Sequence, residues 1–180
     1  MIMKKNLVPL LIILGSGLAL RLLHLYWDPV LPRDAVLYCN LMEAWHSGSY
    51  SDVLEYWKIH RNWEAVWIPP LSLYLLKLPM IFGLSANASG TLVSLAMGMI
   101  LLVAVYRIGM LIFKDSNGAL LATALAAAHP FLIEVSIATL RDGIYMGFSV
   151  LLLYFGLRLA LEEKRIFPAI AFIAILPLVL

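Results

Sequence analysis

Charge is what this chain has little of. Asp, Glu, Lys and Arg make up 13% of its 180 residues, where soluble domains average about a quarter. So few charges cannot keep a 63% hydrophobic chain in water, and its apolar residues fall in long runs, not in alternating faces, which excludes an ordinary soluble domain. The net charge of +2 is too small to argue for a nucleic-acid partner. A single cysteine, Cys39, excludes an internal disulfide and leaves the redox compartment undetermined. No Cys and His stand at metal-ligand spacing. A phosphate-binding Gly loop and a nucleophile elbow are both missing, as are internal repeats and low-complexity tracts.

What is present is a series of apolar segments, and the sequence predicts an all-α polytopic membrane protein of one membrane domain over 1–180. Expected spans run over about 6–26, 88–113, 118–140, 143–161 and 166–180. The first four are long enough to cross a core about 30 Å thick at 1.5 Å per residue, whereas 166–180 reaches only about 22 Å. The last segment ends without a cap or basic anchor, as expected of a truncated chain or the N-terminal piece of a longer one. Lys4 and Lys5 precede an apolar run with no small-residue cleavage site after it, which reads as an uncleaved anchor.

Basic residues set the expected orientation. Lys4, Lys5, Arg107, Lys114, Arg158, Lys164 and Arg165 lie at ends that fit the cytoplasm. Trp27 to Ile68 then lies outside, as does the short link around Arg141-Asp142. Within the outer loop, 27–87, the part from Trp27 to Ile68 carries the acids Asp28, Asp34, Glu43, Asp52, Glu55 and Glu64 against Arg33, Lys58 and Arg61. It also holds every tryptophan of the chain, a residue that prefers the headgroup zone. Leu37, Leu41, Ala44 and Trp45 share a helical stripe with Tyr38 and Met42 beside it, so amphipathic helices lying on the membrane are expected. The stretch 69–84 is apolar and helical in period but only about 24 Å long, with Lys77 in its middle. It reads as an interfacial or re-entrant helix, because a true span there would turn Arg158, Lys164 and Arg165 outward.

The residues able to carry chemistry cluster on the outer side. Asp34 follows Pro32-Arg33 and opens an amphipathic helix, where an acid also serves as a plain N-cap. Asp142, in Arg141-Asp142-Gly143, opens the fourth span in the same way. Two carboxylates at one depth suit a base and its partner, or a divalent metal, which is the possible cofactor. Glu134 lies inside the third span, where an acid usually faces a cavity or a partner. A regular helix would align Glu134, Ala138, Arg141 and Asp142 on one face, while the plain alternative has Glu134 reaching the interface or pairing with Arg141. Lys58, His60 and Arg61 form a basic knot that suits a lipid phosphate or is merely a solvated face. His129-Pro130 reads as a kink with a core histidine. Pro70 suits a helix start, and Asn87-Ala88-Ser89 is a weak glycosylation sequon.

The order of these pieces resembles the N-terminal part of the GT-C glycosyltransferases. The similarity is greatest to the dolichyl-phosphate-mannose protein mannosyltransferase group and the lipid A aminoarabinose transferases. The matching pieces are Arg33-Asp34-Ala35-Val36-Leu37-Tyr38 with Ala44 and Gly48, Pro69 to Tyr74, Phe82 to Ser85, and Arg141-Asp142. The resemblance implies a GT-C-like N-terminal bundle, a polyprenyl-phosphate sugar donor, and a lipid, glycan or protein acceptor on the non-cytoplasmic face of a bacterial inner membrane. It implies Asp34 as catalytic base or acceptor-orienting residue, with Asp142 helping to bind metal or substrate. Arg141, Lys58 and Arg61 become candidates to stabilise the departing phosphate, and Arg33, Tyr38, His60 and Glu134 join them as substrate-binding candidates. Many relatives have Asp-Glu where this chain has Asp34-Ala35, so the second acid is missing here. The competing expectations are a transporter-type fragment, which favours ionisable groups deep in several spans, and a non-catalytic multi-span protein.

Overall fold

The computed structural model describes residues 2–27, 33–61, 70–161 and 166–179, and among these the ordered elements are helices. They are α1 (Ile2–Trp27), α2 (Arg33–Ser47), α3 (Tyr50–Arg61), α4 (Pro70–Lys77) running into a 3₁₀ turn (Leu78–Phe82), α5 (Ala86–Phe113), α6 (Ser116–Ala128), α7 (Pro130–Val135), α8 (Arg141–Leu161) and α9 (Ile166–Val179). Three stretches are long and apolar enough to cross a membrane: Asn6–Trp27, Ala86–Phe113 and Arg141–Leu161. The protein is an all-α polytopic membrane protein.

Helix α5 is the central post. It packs on α8 and α6 most extensively, and on α1, α2, α4 and α7 as well. Gly90, Ser94 and Gly98 recur every four residues and so share one face. A Cβ on Gly90 would run into Thr139, and one on Gly98 into Ser136. Small residues of this kind let polar backbone approach a membrane helix closely. At its far end α5 turns sharply into α6. Lys114 takes a left-handed conformation (φ 54°), and Asp115 caps α6 by accepting a hydrogen bond from the Gly118 amide at 3.0 Å.

The segment expected to span 118–140 is not one helix. α6 stops at Ala128 and α7 begins at Pro130. Proline has no N–H to donate and its ring clashes with the preceding turn, so His129 is extended (φ −71°, ψ 119°). The expected kink is therefore a full break, and His129, expected in the core, is exposed. After Val135 the chain runs through turns over 136–140 before α8 starts.

Helices α2 and α4 rest on α5, α4 also touches α8, and α3 packs against α2. Tyr38, Leu41 and Met42 of α2, Val53 of α3, and Leu73 and Leu76 of α4 form one buried cluster with Met97 and Ile144. Trp45 ties α2, α3 and α4 together. Its ring lies 5.0 Å from that of Tyr50 and 5.8 Å from that of Tyr74. Lys77, awkward in an apolar stretch, donates to the Trp45 carbonyl at 3.1 Å and lies 4.8 Å from the Trp45 ring. It thus satisfies a carbonyl in the last turn of α2 and adds a cation–π contact.

Candidate active site

Asp34 stands in the first turn of α2 and is exposed. The same helix turns Ala35, Tyr38, Leu41 and Met42 inward, so its apolar period decides which way the acid faces. The positive end of the helix dipole favours a carboxylate there.

Tyr38, one turn further on, marks the centre of the site. It is only 6% exposed, and burial pushes its phenol from 10.0 up to about 12. The Arg141 guanidinium pulls the other way, while Asp142, Tyr145 and Asp34 add to the rise. The charges of Asp34 and Asp142, far apart in sequence, both bear on one phenol, which remains a neutral hydrogen-bond donor at physiological pH. The folded protein holds this proton more tightly than the unfolded chain, so the stability it carries is full below pH 10 and is lost as pH rises through about 12. Tyr50, also raised by burial, acts in the same direction. Tyr38→Phe is expected to flatten the alkaline fall in apparent Tm of the detergent-solubilised protein. An unchanged fall would place that titration elsewhere.

Arg141 opens α8 and turns toward its own helix. Its Nε lies 4.0 Å from Asp142 Oδ1, and its guanidinium carbon 5.9 Å from the Tyr145 ring centre. The Arg141 and Asp142 side chains are 33% and 57% exposed. An ion pair this open adds little stability and stays accessible to a charged ligand.

The start of α8 is held from beneath. Thr139 Oγ1 donates to Asn87, its side-chain oxygen lying 3.0 Å away and its carbonyl 3.2 Å away. A Cβ on Gly143 would come within 2.9 Å of the Val135 carbonyl oxygen, so only glycine lets α8 begin this close to the end of α7. The sequon Asn87-Ala88-Ser89 is occupied structurally: Ser89 is buried and donates to the Leu76 carbonyl at 2.6 Å.

Arg21 completes the support. It is fully buried, although it lies inside the apolar stretch Asn6–Trp27. One terminal nitrogen donates to the carbonyls of Gly17 (2.9 Å) and Ala127 (3.3 Å), and the other to that of Leu132 (3.5 Å). Ala127 and Leu132 lie on either side of the Pro130 break. Non-helical backbone at membrane depth persists where protein satisfies its polar groups, and Arg21 does this here. Sequence reasoning passed over this residue. The available signal was a lone arginine in an otherwise apolar run, which at membrane depth calls for a partner.

The remaining candidates are not gathered at this place. Glu134 is exposed and lines a separate cavity of about 300 Å³ with Leu20, His24 and Trp27 of α1. The single face expected to carry Glu134, Ala138, Arg141 and Asp142 does not form, because α7 ends at Val135 and Ala138 is buried in the turns beyond it. The side chains of Arg33, Lys58, His60 and Arg61 lie outside the described residues. Burial, and to a smaller degree Glu43, push the Cys39 thiol upward, opposite to what a nucleophile needs. Among the described residues no three His, Cys, Asp or Glu side chains group as a metal site. Asp34 and Asp142 offer only two carboxylates, one of them beside a guanidinium that competes with any cation.

Acidic and basic groups thus stand at the start of α2 and of α8 in this helical membrane protein. A search of protein families matches residues 68–177, more than half of the chain, to the dolichyl-phosphate-mannose-protein mannosyltransferases, and the chain belongs to that family of membrane glycosyltransferases. No curated protein and no solved structure matches it.

Proposed function

We infer that this protein transfers a sugar from a polyprenyl-phosphate donor to a hydroxyl-bearing acceptor on the non-cytoplasmic face of a bacterial inner membrane, with its N-terminus in the cytoplasm. The observation that supports this most is that the charges of Asp34, Arg141 and Asp142 all bear on the Tyr38 phenol, in a chain of this family. In the proposed step the acceptor oxygen bonds to the anomeric carbon of the sugar. The bond from that carbon to the phosphate oxygen breaks, and its electron pair leaves with the lipid phosphate. The acceptor proton goes to the Asp34 carboxylate, a general base open to the outer water. Arg141 receives the growing negative charge on the phosphate through charge-assisted hydrogen bonds. Asp142 orients Arg141, Tyr38 donates its neutral O–H to the donor, and Arg33, Lys58, His60 and Arg61 add contacts to phosphate or sugar. No step is routed through a metal.

The test is transfer of labelled sugar from a polyprenyl-phosphate donor in membranes expressing the uninterrupted gene. Wild type is expected to produce labelled lipid, glycan or protein. Arg141→Gln is expected to lose at least about tenfold in kcat/KM, as loss of one charge-assisted contact costs roughly 1.5–3 kcal/mol. Absence of transfer by abundant, inserted wild type, tried with several acceptors, would remove the proposed activity.

A further inference from the structure

A second cavity lies at the opposite end of the bundle. It encloses about 560 Å³ between α5, α8 and α9, within the range of pockets that bind small ligands, roughly 300–1,000 Å³. Along α5 the lining runs from Met99 through Val103 to Arg107, and along α8 from Leu151 through Tyr154 and Phe155 to Arg158. Both helices therefore carry hydrocarbon toward the middle of the membrane and a guanidinium toward the end. Arg107 is about 30 Å along α5 from Ala86 at 1.5 Å per residue. It thus stands at the membrane surface facing away from Asp34. No carboxylate lines the cavity among the described residues. The Arg158 guanidinium carbon lies 5.8 Å from the centre of the Tyr154 ring, which lines the same cavity.

An apolar trough ending in two guanidiniums matches an amphiphile with an anionic head. Guanidinium recognises phosphate oxygens in a planar, paired fashion, and basic pockets between membrane helices suit anionic headgroups. The depth order fits a lipid that enters head-outward from that leaflet. The proposed site for the polyprenyl-phosphate donor lies at the other surface, beside Arg141.

We propose that this cavity is a binding site for an anionic glycerophospholipid of the leaflet opposite the candidate active site. Arg107 and Arg158 hold its phosphate, and Val103, Leu151 and Phe155 hold its upper acyl chain. The site stands apart from the transfer chemistry, and its test reads lipid retention, so the two succeed or fail separately.

The experiment is native mass spectrometry of the full chain released from mild detergent. Phosphatidylglycerol, phosphatidylcholine and a polyprenyl phosphate are supplied in turn at equal concentration. Phosphatidylglycerol adducts are expected to persist at least tenfold more than phosphatidylcholine adducts. The double variant Arg107→Gln/Arg158→Gln is expected to erase that preference. Val103→Trp fills the trough with both arginines in place and is expected to lower phosphatidylglycerol retention severalfold, which covers the case in which the double variant fails to fold. Equal retention of the two phospholipids, or a preference that survives in either variant, would overturn the proposal. So would displacement of phosphatidylglycerol by the polyprenyl phosphate, which would make this the donor's site.

Discussion

Asp34→Asn is expected to lower kcat for sugar transfer about a thousandfold while the protein stays inserted and abundant. A positioned general base contributes roughly 10²–10⁴ in rate, and a thousandfold corresponds to about 4 kcal/mol of barrier. Asn keeps the size of Asp and can still accept a hydrogen bond at a helix start, and the lost dipole interaction costs roughly 0.3–1 kcal/mol. Asp34→Glu keeps the charge but moves it outward, and an intermediate loss is expected. The comparison that matters is rate against apparent Tm. A wild-type rate in Asp34→Asn would reduce Asp34 to a residue that starts α2, and the site assignment would lose its base.

Arg21→Met is expected to destabilise the protein by about 3 kcal/mol. Three carbonyls now accept from this guanidinium. That of Gly17 lies inside α1, but those of Ala127 and Leu132 flank a break, where an unmade buried hydrogen bond costs roughly 1–3 kcal/mol each. Removing the buried charge returns part of this, because desolvating an ion is itself costly. For a chain of this size the net change corresponds to a fall of roughly 6–12 °C in apparent Tm. Arg21→Lys, with one point charge in place of a fork, is expected to recover only part of the loss. The variant also frees the turns that carry Arg141, so transfer is expected to fall at temperatures where the fold persists. Melting within a degree of wild type would show that water or a rearranged α7 satisfies the break without Arg21.

The spans at 6–27, 86–113 and 141–161 were legible because apolar runs of this length have few other solutions in water or lipid. Asp34, Tyr38, Arg141 and Asp142 stood out as charged or polar groups at the edges of such runs, and the ordered set carried the family resemblance. How closely α5, α8 and the turns between α7 and α8 approach one another was not legible. That approach depends on Gly143, Gly90 and Gly98, and a glycine in a string does not name its neighbour. The stretch 118–140 misled in a specific way. Its hydropathy is continuous, but Pro130 divides the backbone, and the polar groups so exposed are met by an arginine more than a hundred residues earlier in the chain. Glu134 was placed with Arg141 by a regular helical period, and the period stops at Val135. Lys77 looked misplaced by composition, and its reason, the end of α2 beneath Trp45, lies in another helix.

The cluster beneath Tyr38 has a consequence for biosynthesis. Its floor includes Met97 of α5 and Ile144 of α8, so α2 leaves the ribosome long before the surface it rests on exists. Roughly 100 residues separate Asp34 from that last support, which at about 5–20 residues per second is roughly 5–20 s of translation. Throughout that interval the apolar side of α2, with Leu41, Met42 and Trp45, has only the bilayer surface or a chaperone to shelter it. Completion of this cluster is thus timed by the synthesis of α8, and a nascent chain halted before Ile144 leaves α2 on an incomplete floor.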